Sequence, residues 1–444
     1  MSSSSSMALP VYGHESEASL ARAHTDEDVT PSEIAVGVII GRSSEYFDFF
    51  VFGIACVMVF PQLLFPFLSP LAGTLAAFAI FSLAFIARPF GTALFMAVQR
   101  RWGRGTKLTL ALFLLGSSTV SMALLPGYET AGMAAIAALI VLRIGQGVAL
   151  GGSWDGLPSL LAMAAPKERR GWYAMVGQLG APAGFVLAAS LFAYLYGQLT
   201  SEEFLAWGWR YPFCVAFAIN VVALFARLRL VVGQSYAELL EEKELEPIGA
   251  AQLMREEGGN VFLGAFAALA SFALFHVVTI FPLSWISLYS ERSMTEVLGV
   301  QIAGAFLAAC AVMLSGRLAD RLGRRNLLGG MAVLIGLFSL AAPWLLDGSV
   351  AGSNTFLLLG FVLLGLSYGQ SAGTVTANFS SHYRYTGAAL SADLAWLFGA
   401  AFAPLVALGL SARFGLAAVS LYLLSGVVCT LAALRINRLI EQRG

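Results

Sequence analysis

The sequence has little charge and few residues of the kinds that bind metals or form disulfides. Only 12% of its 444 residues are Asp, Glu, Lys or Arg, and the 26 basic residues balance the 26 acidic ones. Ordinary globular chains carry about 25% charged residues. A net charge of zero argues against a nucleic-acid partner. With 58% hydrophobic residues, the composition indicates an integral membrane protein.

The four cysteines and four histidines are scattered and show no CxxC pair and no metal-ligand spacing. We therefore expect reduced cysteines, no metal and no cofactor. No nucleophile–base group and no phosphate-binding loop is recognisable either, so we do not expect an enzyme. Residues 1–33 are polar and Ser-rich without the basic and then apolar order of a signal peptide, which predicts a disordered tail.

Long apolar runs predict twelve membrane spans, because a helix needs about 20 apolar residues to cross a bilayer. The spans cover 34–60, 71–98, 107–125, 132–162, 171–197, 208–230, 260–289, 296–316, 326–346, 354–378, 385–411 and 414–435. An acidic linker, 231–258, separates a first half, 34–230, from a second half, 259–436, and residues 437–444 form a short tail. The predicted fold class is an all-α membrane protein with two six-helix halves.

The basic residues predict the orientation of the chain, because Lys and Arg collect in cytoplasmic loops. Twenty of the 26 lie in loops and tails on one side, a set in which we place Lys107 and Arg227. Three lie on the opposite side and three inside spans. Both termini are therefore predicted to be cytoplasmic.

The two halves carry a similar basic turn after their second span. Gly316-Arg-Leu-Ala-Asp320-Arg321-Leu-Gly323-Arg324-Arg325 follows the eighth span, and Met96-Ala-Val-Gln-Arg100-Arg101-Trp-Gly103-Arg104-Gly105 follows the second. Repetition of the same turn at the same place indicates a duplicated six-span unit.

Several motifs, in order, resemble the major facilitator superfamily and, within it, the metabolite:proton symporter branch. They are Gly-x-x-x-Asp320-Arg-x-Gly-Arg-Arg, Gly41-x-x-x-Glu45-Tyr46-Phe47-Asp48-Phe49, Ala87-Arg88-Pro89-Phe90-Gly91, Leu142-Arg143-Ile-Gly-Gln-Gly147, Arg170-Gly-Trp-Tyr173, Gly180-Ala-Pro182-x-Gly184, Trp207-Gly-Trp-Arg-Tyr-Pro-Phe213 and Arg384-Tyr-Thr-Gly387. That branch includes permeases for α-ketoglutarate, citrate, shikimate and proline/betaine. The resemblance covers residues 36–435 and implies the major facilitator fold in a bacterial inner membrane.

The chain departs from the family pattern in three places. The first-half turn has Met96 and Arg100 where the pattern has a glycine and an acid, and the fourth span reads Gly-Gly-Ser153-Trp154-Asp155 where Gly-Gly-Glu-Trp-Gly is usual. Before Arg384 the chain reads Ala377-Asn-Phe-Ser380 where Glu-Leu-Phe-Pro is usual. These departures bear on substrate and coupling.

Two acids lie in the middle of the first predicted span. A charge at the bilayer centre costs at least about 2.5–3.5 kcal/mol. Spacing of three residues places Glu45 and Asp48, with Arg42, on one helix face. A carboxylate holds a proton in apolar surroundings and releases it beside an arginine. We therefore predict that Glu45 and Asp48 couple transport to protons, with the alternative that these charges only hold helices together.

Other polar residues at membrane depth are candidates for substrate binding. Arg143, with Arg88 as a second candidate, is predicted to attract a carboxylate. The further candidates are Tyr46, His276, Gln370 and Asp393. Packing roles remain the alternative for each of them, and Asp155 is read as a helix or loop contact. Gly147-x-x-x-Gly151 and Gly180-x-x-x-Gly184 predict close helix approach.

The second-half turn is predicted to act as a conformational latch made by Asp320, Arg321 and Arg324. Asp320 is expected to accept hydrogen bonds from the first amides of a helix in the other half, since helix N-termini attract carboxylates. The first-half turn has Arg100 in the equivalent place, so its latch is expected to be weaker or made differently.

These observations predict a monomeric secondary active transporter that takes up a small organic acid with protons by alternating access, driven by the proton gradient. The alternatives are a transporter of a zwitterionic osmolyte, an uncoupled facilitator, and a transport-inactive metabolite sensor.

Overall fold

The computed structural model describes residues 31–154, 161, 165–231, 238, 246–346, 349–371 and 379–441. Within these ranges the regular structure is helical. Asp155 lies outside the described residues, as do most of the tail 1–33 and much of the linker 231–258.

Long helices follow the predicted spans through the described chain. By length and composition, ten of them are apolar enough to cross a membrane when Pro70–Ala123 is counted as one helix. The helix Pro70–Ala123 contains Gly103 at φ 84° and ψ 171°, so it is two helices joined by a turn. The first half consists of α1 (Pro31–Met58), α2 (70–102), α3 (104–123), α4 (Met133–Gly152), α5 (Arg170–Gln198) and α6 (Ser201–Arg229). The second half consists of α7 (Leu269–Tyr289), α8 (Met294–Leu322), α9 (Arg324–Leu346), α10 (Val350–Tyr368), α11 (Arg384–Phe414) and α12 (Ala417–Ile440).

Three of the helices differ from their predicted spans in the part of the chain that the structure describes. Helix α4 ends at Gly152 and α10 at Tyr368, and most of the rest of these two predicted spans lies outside the described residues. Helix α7 begins at Leu269, after the separate short helix Gly258–Ala267.

The turn glycines confirm the internal repeat. Gly103 between α2 and α3 has φ 84°, and Gly323 between α8 and α9 has φ 81°. Only glycine adopts this region without strain, so the two halves use the same residue for the same reversal. The side of the molecule that carries these two turns is called the basic side below.

Small residues let the helices of each half pack closely. A Cβ at Gly147 or Gly151 of α4 would lie 2.3 Å from a backbone oxygen of α2. A Cβ at Gly184 of α5 would lie 2.7 Å from the Phe47 nitrogen of α1. Both close approaches predicted from the sequence are therefore present.

The two halves meet along α1, α2, α5, α7, α8, α10 and α11. Gly53 of α1 faces Ile280, where α7 is interrupted before Pro282. The Ser82 hydroxyl of α2 donates to the Ala401 oxygen of α11 at 2.8 Å. Away from this interface, large apolar side chains such as Phe90, Trp344 and Leu421 are at least 70% exposed, as lipid-facing residues are.

Candidate functional site

Glu45 lies at the centre of an ion-pair cluster that joins α1, α4 and α6. Its carboxylate is 2.8 Å from Arg42 Nη1 and 3.1 Å from Arg227 Nη1. The Ser153 hydroxyl, just after α4, donates to Glu45 Oε1 at 2.8 Å. Glu45 is 4% exposed. Two arginines and a hydroxyl thus satisfy the buried charge, which removes much of its insertion cost.

Asp48, one turn further along α1, has neutral partners. Asn220 of α6 donates to its Oδ2 at 2.7 Å, and Thr119 of α3 donates to its Oδ1 at 3.4 Å. No cation among the described residues forms an ion pair with it. The two acids predicted on one face therefore have different surroundings: one is held by cations and the other by an amide and a hydroxyl.

Arg143 is linked to Asp48 through side chains rather than directly. Its guanidinium donates to the Phe81 oxygen at 3.1 and 3.2 Å and to Gln146 at 2.9 Å. Gln146 in turn donates to the Thr119 hydroxyl at 2.7 Å. Arg143 is 1% exposed and lies over the rings of Phe52 and Phe81. The arrangement uses its donors within the first half.

Arg88 forms an ion pair across the two halves. Its Nε lies 2.6 Å from Asp393 Oδ1 on α11, with both side chains at most 5% exposed. The second oxygen of Asp393 accepts from the Thr92 hydroxyl, one turn beyond Arg88 on α2. Asp393 therefore docks α11 onto one face of α2.

A belt of aromatic rings lies next to these charges at the interface. The Tyr46 hydroxyl of α1 meets the Tyr368 hydroxyl of α10. Trp396 of α11 stacks on Phe49 and Phe85 of the first half at 5.6 and 5.7 Å between ring centroids. These contacts join the halves at the depth of the acids.

His276 lies within this aromatic belt and is fully buried. Its ring meets those of Phe81, Phe85 and Trp396, and its Nδ1 is 3.4 Å from the Thr279 hydroxyl. Its Nε2 has no hydrogen-bond partner among the described residues. The structure thus places His276 beside Phe81, the residue whose carbonyl holds Arg143.

A cavity of about 40 Å³ lies between the halves, and we call it the arginine cavity. Its lining includes Arg42, Arg88, Tyr46, Tyr368, Trp154 and Trp396. A narrower pocket of about 10 Å³ adjoins it and is lined by Arg42, Glu45, Arg88 and Arg227. Of the predicted substrate residues, Arg88 and Tyr46 line the arginine cavity, whereas Arg143, His276, Gln370 and Asp393 do not.

The predicted contact of Asp320 is present on the basic side. Asp320, at the end of α8, accepts from the Gly171 amide at 2.6 Å and from the Trp172 amide at 3.2 Å. These are among the first amides of α5, in the other half. We call this contact the second-half latch.

Gln370, predicted as a substrate residue, lies at this latch and not in the lining of the arginine cavity. Its amide donates to the Gly171 oxygen at 3.1 Å and accepts from Arg324 Nε at 3.4 Å. It is fully buried there. The reason is that α10 ends at Tyr368, which brings Gln370 to the basic side next to the start of α5.

The first half makes an equivalent contact with different residues. Tyr385, near the start of α11, donates to Gln99 Oε1 at 3.2 Å, close to the end of α2. Lys107 of α3 donates to Gln99 at 2.9 Å and to the Tyr385 hydroxyl at 3.4 Å, and it also contacts the Trp154 oxygen. Lys107 is 2% exposed. We call this the first-half latch, and it contains no carboxylate among the described residues.

Arg227, Asn220 and Lys107 are site residues that sequence reasoning missed. The charge count placed Arg227 and Lys107 in loops, yet both are buried. Each lies at the end of a predicted span, where a long side chain reaches inward as easily as outward. A signal was present for Asn220, because it is a lone amide in the middle of the sixth apolar run.

Two similar six-helix halves that enclose a charged cavity at their interface have the architecture of a secondary transporter. The profile of the Major Facilitator Superfamily matches residues 50–395, and the chain belongs to this family. It is therefore a multi-pass membrane transporter and not an enzyme.

Similar proteins agree with this assignment. The "Inner membrane metabolite transport protein YhjE" of Escherichia coli (strain K12) is 36% identical over 419 residues, with 92% of this chain and 95% of that protein covered. The "Shikimate transporter" of the same organism is 30% identical over 413 residues, with coverages of 90% and 92%. A partially occluded inward-open structure of the xylose transporter XylE from E. coli shares the fold, with a TM-score of 0.66 at 18% identity and coverages of 90% and 96%.

Proposed function

We propose that the chain takes up a small organic anion together with protons, by alternating access across a bacterial inner membrane with both termini in the cytoplasm. It does so as a monomer, because each chain contains both halves of the interface. The observation that carries the proposal is a pair of unlike acids on α1. Glu45 is paired with Arg42, which lines the cavity between the halves, whereas Asp48 is held by the neutral side chains of Asn220 and Thr119.

Asp48 is the proton site in this proposal. Its partners, Asn220 and Thr119, are neutral, so binding a proton breaks no ion pair. Hydrogen bonds connect Asp48 through Thr119 and Gln146 to Arg143. A change of protonation at Asp48 is therefore transmitted to side chains on three helices. Arg143 thus acts on the proton site from a distance and does not bind the substrate.

Glu45 is the counter-ion that the substrate competes with. It occupies Arg42 and Arg227 when the site is empty, and it lies beside Arg88 in the narrow pocket. A substrate carboxylate in the arginine cavity accepts charge-assisted hydrogen bonds from Arg42 and Arg88, in competition with the acids of the protein. Arg42 and Arg88 therefore bind the anion in this proposal, whereas the sequence analysis named Arg143 and Arg88 for this role.

A betaine is the second candidate, favoured by the aromatic lining. Tyr46, Phe272, Tyr368 and Trp396 all line the arginine cavity. Aromatic rings around a quaternary ammonium attract it by cation–π interaction, while Arg42 and Arg88 hold the carboxylate. A zwitterion of this kind fits the same cavity as a simple acid.

The test is uptake by purified protein in liposomes, after a thermal-shift screen of shikimate, malate, 2-hydroxy-4-methylpentanoate and glycine betaine at two pH values. Asp48→Asn is expected to abolish accumulation driven by a pH gradient while exchange of internal for external ligand continues. The matched control is Glu296→Gln, an acid-to-amide change at an exposed position in the first turn of α8.

Accumulation by Asp48→Asn at the wild-type level would remove Asp48 as the proton site. Stabilisation by glycine betaine alone, without any response to the three acids, would favour the second candidate. Binding without counterflow in liposomes would identify a sensor.

A further inference from the structure

A second cavity, of about 20 Å³, adjoins the arginine cavity on the side of α5 and α10. Its lining includes the rings of Phe50, Phe185, Phe275 and Phe361, and we call it the phenyl cavity. Two residues, Gln178 and Tyr368, line both cavities. The two spaces therefore meet at these side chains, with arginines at one end and phenyl rings at the other.

Gln178 is a polar group at this junction whose side chain makes no hydrogen bond within the described part of the chain. It is 6% exposed and lies in the short 3₁₀ turn Gly177–Leu179 that interrupts α5. Its side-chain amide makes no hydrogen bond to any residue in the described ranges, whereas the Tyr368 hydroxyl is engaged with Tyr46. Because Gln178 lines both cavities, its amide is placed to form a hydrogen bond with a molecule that enters them.

The phenyl cavity offers no comparable polar group. The hydroxyl of Thr279, which lines it, already donates to the Phe275 oxygen at 2.8 Å. Apart from Gln178 and Tyr368 at the junction, the remaining lining residues are apolar or glycine, among them Val312 and Leu364. A second carboxylate at this end would lose its hydration without a cationic partner, which is costly.

We infer that Gln178 is a specificity-determining residue. Its side-chain amide forms a hydrogen bond with a polar substituent that lies between the carboxylate and the apolar body of the substrate. The ligand class is a monocarboxylate with a hydroxyl or oxo group near the carboxylate and a branched or aromatic body beyond it. This inference rests on the proposed function, since it takes the carboxylate to lie at Arg42 and Arg88.

The experiment compares four acids that differ in one feature at a time. 2-Hydroxy-4-methylpentanoate has all three parts, 4-methylpentanoate lacks the hydroxyl, lactate lacks the apolar body, and malate carries a second carboxylate in its place. Affinities are measured by calorimetry on the purified full chain. We expect lactate and malate to bind at least about 10-fold more weakly than 2-hydroxy-4-methylpentanoate, because a few methylenes in an apolar pocket discriminate this much.

Substitution of Gln178 then isolates its own contribution. In the wild type, 4-methylpentanoate is expected to bind about 2- to 12-fold more weakly than its hydroxylated analogue, the value of one neutral hydrogen bond. Gln178→Met, which keeps the size of the side chain, should make the two affinities equal while the preference over lactate remains. Phe185→Ala should reduce the preference over lactate and leave the effect of the hydroxyl. Gln62→Ala, at an exposed glutamine between α1 and α2, is the matched control.

Two results would overturn the inference. One is tighter binding of malate than of 2-hydroxy-4-methylpentanoate, together with loss of malate binding in Arg88→Gln. In that case the proposed function stands, but the assignment of the phenyl cavity to an apolar body is wrong. The other is an unchanged effect of the hydroxyl in Gln178→Met. If none of the four acids binds and Arg88→Gln leaves every ligand of the screen unaffected, the proposed function fails as well.

Discussion

Removing the carboxylate of Asp320 is expected to open the basic side of the transporter. In the second-half latch this carboxylate accepts two amide hydrogen bonds at the start of α5, at 2.6 and 3.2 Å. It thus caps a helix end as an N-cap residue does, and replacing such a residue by alanine costs about 0.5–2 kcal/mol. Asp320 is exposed, so solvent screening keeps the electrostatic part small. A loss of about 1–2 kcal/mol changes a two-state ratio about 5- to 30-fold.

The assay is labelling of a cysteine in place of Ser371, which lines the arginine cavity and is 2% exposed. The four native cysteines, Cys56, Cys214, Cys310 and Cys429, are first replaced. A membrane-impermeant maleimide is applied to inside-out vesicles. Labelling should rise about 5- to 30-fold in Asp320→Ala and less in Asp320→Asn, which keeps one acceptor oxygen.

The control for this prediction is Glu296→Gln, a charge change at an exposed position at the opposite end of α8, where the Glu296 side chain makes no hydrogen bond or ion pair to α5 among the described residues. Equal labelling rates in Asp320→Ala and the parent would refute the reasoning, because the turn would then be only a topological feature. An equal rise in the control would show that any loss of charge on α8 opens the protein.

Three further predictions follow from contacts described above. Tyr385→Phe removes the hydroxyl that joins α11 to Gln99 in the first-half latch. Labelling of the cavity cysteine from the basic side should then rise about 2- to 12-fold, the range for loss of one neutral hydrogen bond. An unchanged labelling rate would exclude this residue from the latch. Asp393→Asn should weaken the docking of α11 on α2 and lower the melting temperature, and the same loss in Asp393→Glu would show that geometry, not charge, matters at the ion pair. Gly184→Ala should destabilise the protein because its Cβ would lie 2.7 Å from a backbone nitrogen of α1, whereas Gly259→Ala, with nothing within 4 Å, should be neutral or stabilising in thermal unfolding.

The fold could be predicted from the sequence because its determinants are local. Each apolar run specifies a span by its length, and each turn glycine, such as Gly103 and Gly323, specifies a reversal that no other residue makes without strain. The close approach of α5 to α1 was likewise readable from the spacing of Gly180 and Gly184.

The candidate site could be predicted only in part. The shared face of Glu45 and Asp48 follows from helical periodicity, but their partners on α6 are more than 170 residues away in the chain. In a soluble helix the polar stripe shows which side faces outward, whereas a membrane helix is apolar all round. The sequence therefore could not show that Arg143 turns to the Phe81 carbonyl and Arg88 to the cavity, nor that Arg227 turns inward.

The two latches close the same side of the molecule with different residues. In the part of the chain that the structure describes, one is a carboxylate on helix amides, and the other joins Lys107, Gln99 and Tyr385. Because the carboxylate of Asp320 lies at a solvent-exposed position, we expect high salt or a nearby anionic headgroup to weaken its contact with α5. The edge of the interface at α5 and α8 is therefore the place where the ions around the protein are expected to influence its opening.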